Sequence, residues 1–371
     1  MEHPKYGKIH AIIPIVFGSL VLLYQGANMN TFITFFFDPK EKYTGILGVD
    51  NLLNLIIPFF YDFLTDPVGL IIGSQMTPMA LVSIFTIALE TSIPGSRVNG
   101  VTGFFTSFLF VALTMQFLGI ATAISYWIAA WVIKEINKEK DDSDVIVVID
   151  GETRPDIEAP PAAAADATLP LNPDRVTRIF WGIICVVFSS LVIMSLVTDP
   201  SLQFWTIVFF QISPVLAFMF WFWTPKGAIK ESVSTNEGYK RAGNYYLILF
   251  GICLYSWVSF LAYCVDHDSV YLSTLLEQLK NRELASATDF MLVNTTGLTI
   301  SMIYWVYLVE GANFTPAFWK LLGLGVVVSP AGALSLYGAE RWNGSEKGKG
   351  KGKSRLRYVT EPDESVPLFN D

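Results

Sequence analysis

The residues best placed for chemistry in this sequence are carboxylates set inside or beside apolar runs. In the stretch DNLLNLIIPFFYDFLTDPVGLIIGSQMTPMALVSIFTIALETSIPGSRVNG (50–100), Asp62 and Asp66 close one apolar segment and Glu90 closes the next. An acid at the centre of a membrane helix costs about 2.5–3.5 kcal/mol on insertion scales, so it marks a function unless it sits at headgroup level. In a poorly solvated cavity a carboxyl group has its charged form disfavoured, stays protonated near neutral pH and donates a proton. Asp62, Asp66 and Glu90 are therefore the candidate acids, and Glu310, at the end of a later apolar run, is a further candidate for the same pocket. The amides Gln25, Asn28, Asn54 and Gln116 have the chemistry to orient an acid or hold a substrate oxygen, although hydrogen bonding between helices is their commoner role.

Other chemistries find less support. Asp62 and Asp66 are four residues apart, on one helical face, a spacing that suits a magnesium diphosphate. Membrane prenyltransferases use two such acidic motifs, and the second half of this chain has none. No glycine-rich phosphate loop, nucleophile elbow or His-Glu-x-x-His helix occurs, and three dispersed cysteines and three dispersed histidines have no metal spacing. No metal or cofactor is expected. The only basic cluster is a short tail, so no nucleic-acid partner is expected either.

The elements that must position these residues follow from composition. Of 371 residues, 52% are hydrophobic and only 16% charged, against about 25% charged in soluble domains, which makes this an integral membrane protein. Apolar runs near the roughly 20-residue bilayer length predict an all-α, polytopic membrane helical bundle of about eight (8–9) transmembrane helices. It divides into an N-terminal membrane half (1–134), a disordered acidic, then Ala/Pro-rich linker (135–176), a C-terminal membrane half (177–340) and a disordered charged tail (341–371). A long apolar run from Val101 to Ile133 requires tilt or a kink, and the run Ala317–Tyr337 reads as a single span. The segment VYLSTLLEQLKNRELA (270–285) reads as a helix lying on the membrane surface. Pro58 and Pro78 interrupt two spans, which is tolerated only where protein or a cavity satisfies the freed backbone. Basic residues flank the linker, fill the loop with Lys226 and Lys230, and crowd the tail; all compete for the cytosolic side, which nine simple crossings do not allow. No clear repeat symmetry relates the two halves.

With acids at helix ends, a Pro/Ala-rich linker and the segments FYDFLTDPVG (60–69) and ALETSIPGSR (88–97), the chain resembles the membrane-bound terpene cyclases of fungal meroterpenoid pathways, of the ascochlorin and ascofuranone cyclase type. The resemblance covers the membrane core and excludes linker and tail. It implies an endoplasmic-reticulum enzyme that protonates an epoxide or olefin on the farnesyl chain of a lipid-soluble, prenylated aromatic substrate and closes a ring without metal. Asp62, Asp66 or Glu90 would be the acid, and aromatic faces would stabilise the carbocation. Two other classes stay open. One is a transporter with Asp62 and Glu90 as coupling groups near broken helices; the other is a receptor or scaffold.

Overall fold

The computed structural model of the chain describes residues 6–92, 107–147, 171–222, 237–266, 270–281 and 284–344. Most of the expected linker and almost all of the tail lie outside the described residues, as do Lys226, Lys230 and His267. The described residues form an all-α bundle. Its helices are α1 (Ile9–Asn28), α2 (Asn30–Phe37), α3 (Leu47–Thr65), α4 (Pro67–Glu90), α5 (Phe108–Leu118) and α6 (Ile120–Val147) in the first half. In the second half they are α7 (Pro173–Gly182), a π-helical turn (Ile183–Phe188), α8 (Ser189–Leu196), α9 (Pro200–Phe222), α10 (Glu237–Asp266), α11 (Val270–Asn281), α12 (Ser286–Glu310), α13 (Phe314–Val328) and α14 (Pro330–Gly344). Among the described residues, seven stretches are long and apolar enough to cross a membrane. Helix α6 runs to Val147, well into the segment expected to be disordered from Lys134 onward.

Four of these helices carry an internal proline, which cannot donate to the carbonyl four residues earlier. In apolar surroundings that carbonyl needs another donor. Three of the four find one in a hydroxyl group. Pro14 frees the carbonyl of His10, which accepts from Tyr304 Oη of α12 at 3.2 Å. Pro78 frees that of Ser74, which accepts from Ser256 Oγ of α10 at 2.6 Å. Pro214 frees that of Phe210, which accepts from Ser213 Oγ at 2.8 Å. Each break in a helix ladder thus becomes a link, twice to a different helix.

These and other contacts fix the direction of every long helix. At one end of the bundle Tyr6 Oη donates to Leu308 O at 3.1 Å, Arg341 pairs with Glu90 at 2.6 Å, and Arg241 pairs with Asp174 at 3.4 Å. At the other end Asn28 donates to Asp289, Thr288 donates to Asp66, and Tyr61 Oη donates to Pro200 O at 2.7 Å. Lys8, Lys134, Arg175, Lys240, Arg241, Lys320 and Arg341 gather at the first end, and Asp62, Asp66, Asp199 and Asp289 at the second. The described residues that flank the basic segments, Lys134, Arg175, Lys240, Arg241 and Arg341, thus lie at one end, the side expected to face the cytosol.

Two expectations about spans need correction. Helix α3 is long enough to cross, but both of its flanks meet the start of α9, through the Tyr43–Phe204 rings (centroids 5.2 Å apart) and the Tyr61–Pro200 bond. It is laid over the acidic end. The run Ala317–Tyr337 is not one span: the chain reverses at Ser329 (φ 74°, ψ 156°), and Lys320 of α13 pairs with Glu340 of α14 at 2.5 Å. Fifteen residues per arm reach only about 22 Å, short of the roughly 30 Å of a hydrocarbon core. The long run expected to kink does so at Gly119, with the same corner geometry (φ 81°, ψ 150°).

The second half also repeats the first, contrary to the sequence reading. In each, a long helix leaves the basic end (α1, α10), a helix lies at the acidic end (α3, α11), a long helix returns (α4, α12), and a two-helix corner follows (α5–α6, α13–α14). Helix α1 packs along α6 as α10 packs along α14, and α4 packs on α12 at the centre. The corners share a sequence trace, Gly119-Ile-Ala-Thr-Ala-Ile-Ser125 against Ser329-Pro-Ala-Gly-Ala-Leu-Ser335. Both serines bond a neighbouring helix: Ser125 meets Ser301 Oγ at 2.9 Å, and Ser335 donates to Tyr246 O at 2.6 Å. Helices α7 to α9 are inserted between the units.

The proline account is testable by a double-mutant cycle on the protein in detergent. Ser256→Ala is expected to destabilise the native chain by about 1–3 kcal/mol, the cost of leaving a carbonyl unpaired in apolar surroundings. In a Pro78→Ala background, where residue 78 regains its N–H, the same substitution is expected to cost much less. Equal losses in both backgrounds would show that Ser256 does not serve the freed carbonyl.

Candidate functional site

The repeat is broken at one place, and a cavity lies there. At the second corner Ser329 Oγ accepts from Gly332 N–H at 3.1 Å and so caps α14 with its own side chain. Gly119 has no side chain to do this for α6. Asn294 of α12 supplies the oxygen instead: its Oδ1 accepts from Ala121 N–H at 3.2 Å, while its Nδ2 donates to Phe290 O at 3.2 Å. An added Cβ at Gly119 would stand 2.6 Å from Asn294 Oδ1, so only glycine fits this close approach and this positive φ.

The cavity of about 320 Å³ opens from this cap toward the acidic end, under α3. Its size is at the lower end of the roughly 300–1,000 Å³ of small-molecule sites. The wall is apolar and rich in phenylalanine: Phe59, Phe60 and Phe63 of α3, Phe210 of α9 and Phe290 of α12. Edge-on ring pairs lock these in place, with Phe59 5.2 Å from both Phe60 and Phe290, and Phe60 5.6 Å from Phe210. Val187 of the π-helical turn and Leu191 and Met194 of α8 close one flank; π-turns within helices recur at functional sites. The polar lining consists of Gln25, Thr77, Gln116, Gln211 and Asn294.

The expected site residues divide accordingly. Gln25 and Gln116 line the cavity; Asn28, Asn54 and Glu310 do not. Asn28 is held by Asp289. Asn54 buckles the loop before α3, accepting from Lys40 N–H at 3.1 Å and Glu41 N–H at 3.0 Å and donating to Glu41 O at 2.8 Å. Glu310 accepts from Tyr337 Oη at 2.7 Å at the basic end.

The three candidate acids are not brought together. Asp66 caps α4 through Val68 N–H at 3.0 Å and accepts from Thr288. Asp62 accepts from Ala287 N–H at 3.4 Å, in the first turn of α12, where negative charge suits the helix dipole. Both sit at the acidic end, Asp62 beside the lining residue Phe63. Glu90 is at the other end of the 24-residue α4, roughly 36 Å away at 1.5 Å per residue. Its buried side chain pairs with Arg341, whose guanidinium lies over the Trp305 and Trp342 rings at 4.9 and 5.5 Å. No carboxylate lines the cavity among the described residues, and none of their His, Cys, Asp and Glu side chains form a metal-binding group of three or more. Sequence reasoning missed Asn294, a lone amide within the apolar run FMLVNTTGL, and Arg341, which stood at the edge of an apparent tail.

The Glu90–Arg341 pair lends itself to a stability test. Glu90→Gln leaves a buried guanidinium short of its counter-charge and is expected to cost about 3–5 kcal/mol, read as lost folded yield. Glu90→Gln combined with Arg341→Met is expected to recover most of that yield; a double variant worse than the single would show that the pair is not what holds Glu90. No protein-family model, curated protein or solved structure matches this chain, so any function must be argued from this geometry.

Proposed function

We propose that this chain is a multi-pass membrane enzyme that takes a lipid-soluble prenylated molecule into the cavity under α3 and cyclises it there. The observation that carries the reading is the lining: five phenylalanines around a largely apolar space, with amides gathered at its inner end. Such a wall accepts an isoprenoid chain without desolvation cost, and phenyl faces stabilise a developing carbocation by about 0.5–2 kcal/mol each. The reaction follows the resemblance of the sequence to membrane-bound terpene cyclases. A proton opens an epoxide C–O bond or adds to an olefin, a neighbouring double bond or ring closes on the cation, and a proton is returned, leaving an isomer of equal mass. The reading assigns proton delivery to Asp62 or Asp66, the acids at the end toward which the cavity opens, and gives Glu90 a structural part only.

A second reading, a transporter for a molecule of the same kind, is favoured by the repeat. Parallel repeats about an axis along the membrane normal are a transporter architecture, with the substrate held between the units. It also asks for no titratable group in the lining.

One assay separates them. Microsomes containing the protein, incubated with an epoxidised farnesyl-phenol, are expected to form a new isomer of the same mass. Asp62→Asn or Asp66→Asn should lower turnover at least tenfold at unchanged protein level, whereas Glu90→Gln/Arg341→Met should retain it. No product across several such substrates, with the probe moving across proteoliposomes instead, would overturn the enzymatic reading in favour of transport. Full turnover in both aspartate variants would remove the assignment of the acid.

A further inference from the structure

Resting on the reading of the cavity as a site for a lipid-soluble molecule, its inner end narrows the chemistry of that molecule. Three features meet there. The 28-residue helix α6 begins at Gly119 and Ile120, both in the lining, so the positive end of its dipole opens on the cavity. Asn294 beside it has both amide groups engaged, in the cap on Ala121 and on Phe290 O. Gln25 of α1 is only 1% exposed, and its Nε2 has no hydrogen-bond partner in the protein. Its Oε1 accepts from Thr122 Oγ1 at 3.5 Å, the outer limit of a hydrogen bond.

A buried amide donor left unmatched is costly, and a ligand oxygen that satisfies it recovers that cost. Among the described residues no Lys, Arg or His lines the cavity, so none of them would compensate a full negative charge there. A cation would meet the wrong end of the α6 dipole. A donor, a positive helix end and no counter-cation together suit a neutral acceptor such as a carbonyl, ether or epoxide oxygen.

We infer that the inner end of the cavity binds one neutral acceptor oxygen on an otherwise hydrocarbon ligand, with the Gln25 amide as its donor. The oxygen sets which end of the ligand enters first, and the phenylalanine wall holds the chain behind it. A hydrocarbon of the same length leaves Gln25 unmatched and binds more weakly.

The test compares two ligands of matched length on the full-length protein in nanodiscs: a farnesyl methyl ketone and the same chain with a methylene in place of the carbonyl. The native protein is expected to bind the ketone at least about tenfold more tightly, as one satisfied buried donor implies. Gln25→Leu, or the closer isostere Gln25→Met if leucine impairs folding, should bring that ratio below about threefold while the hydrocarbon binds at least as well as before. Both ligands are measured on the same preparation, so a loss of folded protein lowers both signals and leaves the ratio unchanged. A native ratio near one, or a ratio that survives both variants, would overturn the role of Gln25 while leaving the cavity reading intact. Binding of neither ligand to the native protein would overturn that reading and this inference with it.

Discussion

The hydrogen bond from Ala121 N–H to Asn294 Oδ1 is the contact on which the architecture of the cavity depends. A helix that starts at mid-depth in a membrane bundle exposes N–H groups where no water can reach them, and each must be met from within the protein. At Ser329 the chain solves this locally. At Gly119 it borrows an oxygen from a residue 175 positions away, and that amide stands where a side chain at 119 would be. That exchange ties α12 to α6, places Gln25 and Gln116 around the gap, and separates one corner of the repeat from the other. The two units agree in helix order and corner geometry; they differ where the cavity is.

The same rule governs the prolines. A break in a helix inside hydrocarbon is stable only when the freed carbonyl is re-satisfied, and Tyr304, Ser256 and Ser213 meet it for His10, Ser74 and Phe210. The Pro78 break falls beside Thr77 in the cavity lining and the Pro214 break is itself in the lining, so the irregular backbone is concentrated around the space it encloses. The ends of the bundle are sorted by charge. Lys8, Lys134, Arg175, Lys240, Arg241, Lys320 and Arg341 at one end and Asp62, Asp66, Asp199 and Asp289 at the other give the fold a direction across the membrane. Asp62 and Asp66 thereby gain partners in helix starts rather than standing alone in hydrocarbon.

Much of this was legible in the sequence. Helices, prolines needing compensation and a kink in the 101–133 run follow from composition and spacing. The separation of Asp66 from Glu90 was legible too, since the 24-residue apolar run Pro67–Glu90 already places them at opposite ends of a span. So was the corner at Ser329: a serine followed by proline is an N-cap and first-turn pair, and it stood in the middle of an apparent span. What no local pattern carries is the match between distant residues. Gly119 with Asn294, Glu90 with Arg341 and Pro78 with Ser256 are each set by how helices pack, not by what is near them in the chain. The repeat was hidden because its signal is a few small residues, and because α7 to α9 separate the units. Of the amides, Gln25 and Gln116 reach the cavity while Asn28 and Asn54 are spent on neighbouring loops and helices, a division that the sequence alone leaves open.

The central claim is that a prenyl chain occupies the space under α3. Photolabelling the protein in native membranes with a diazirine-bearing farnesyl probe, then mapping the adducts by peptide mass spectrometry, tests it most directly. The account requires adducts on the peptides that carry Phe59–Phe63 and Phe290–Asn294, competed away by unlabelled farnesyl-phenol. Adducts confined to the lipid-facing residues of α13, such as Trp319 and Val326, and indifferent to competitor, would contradict it.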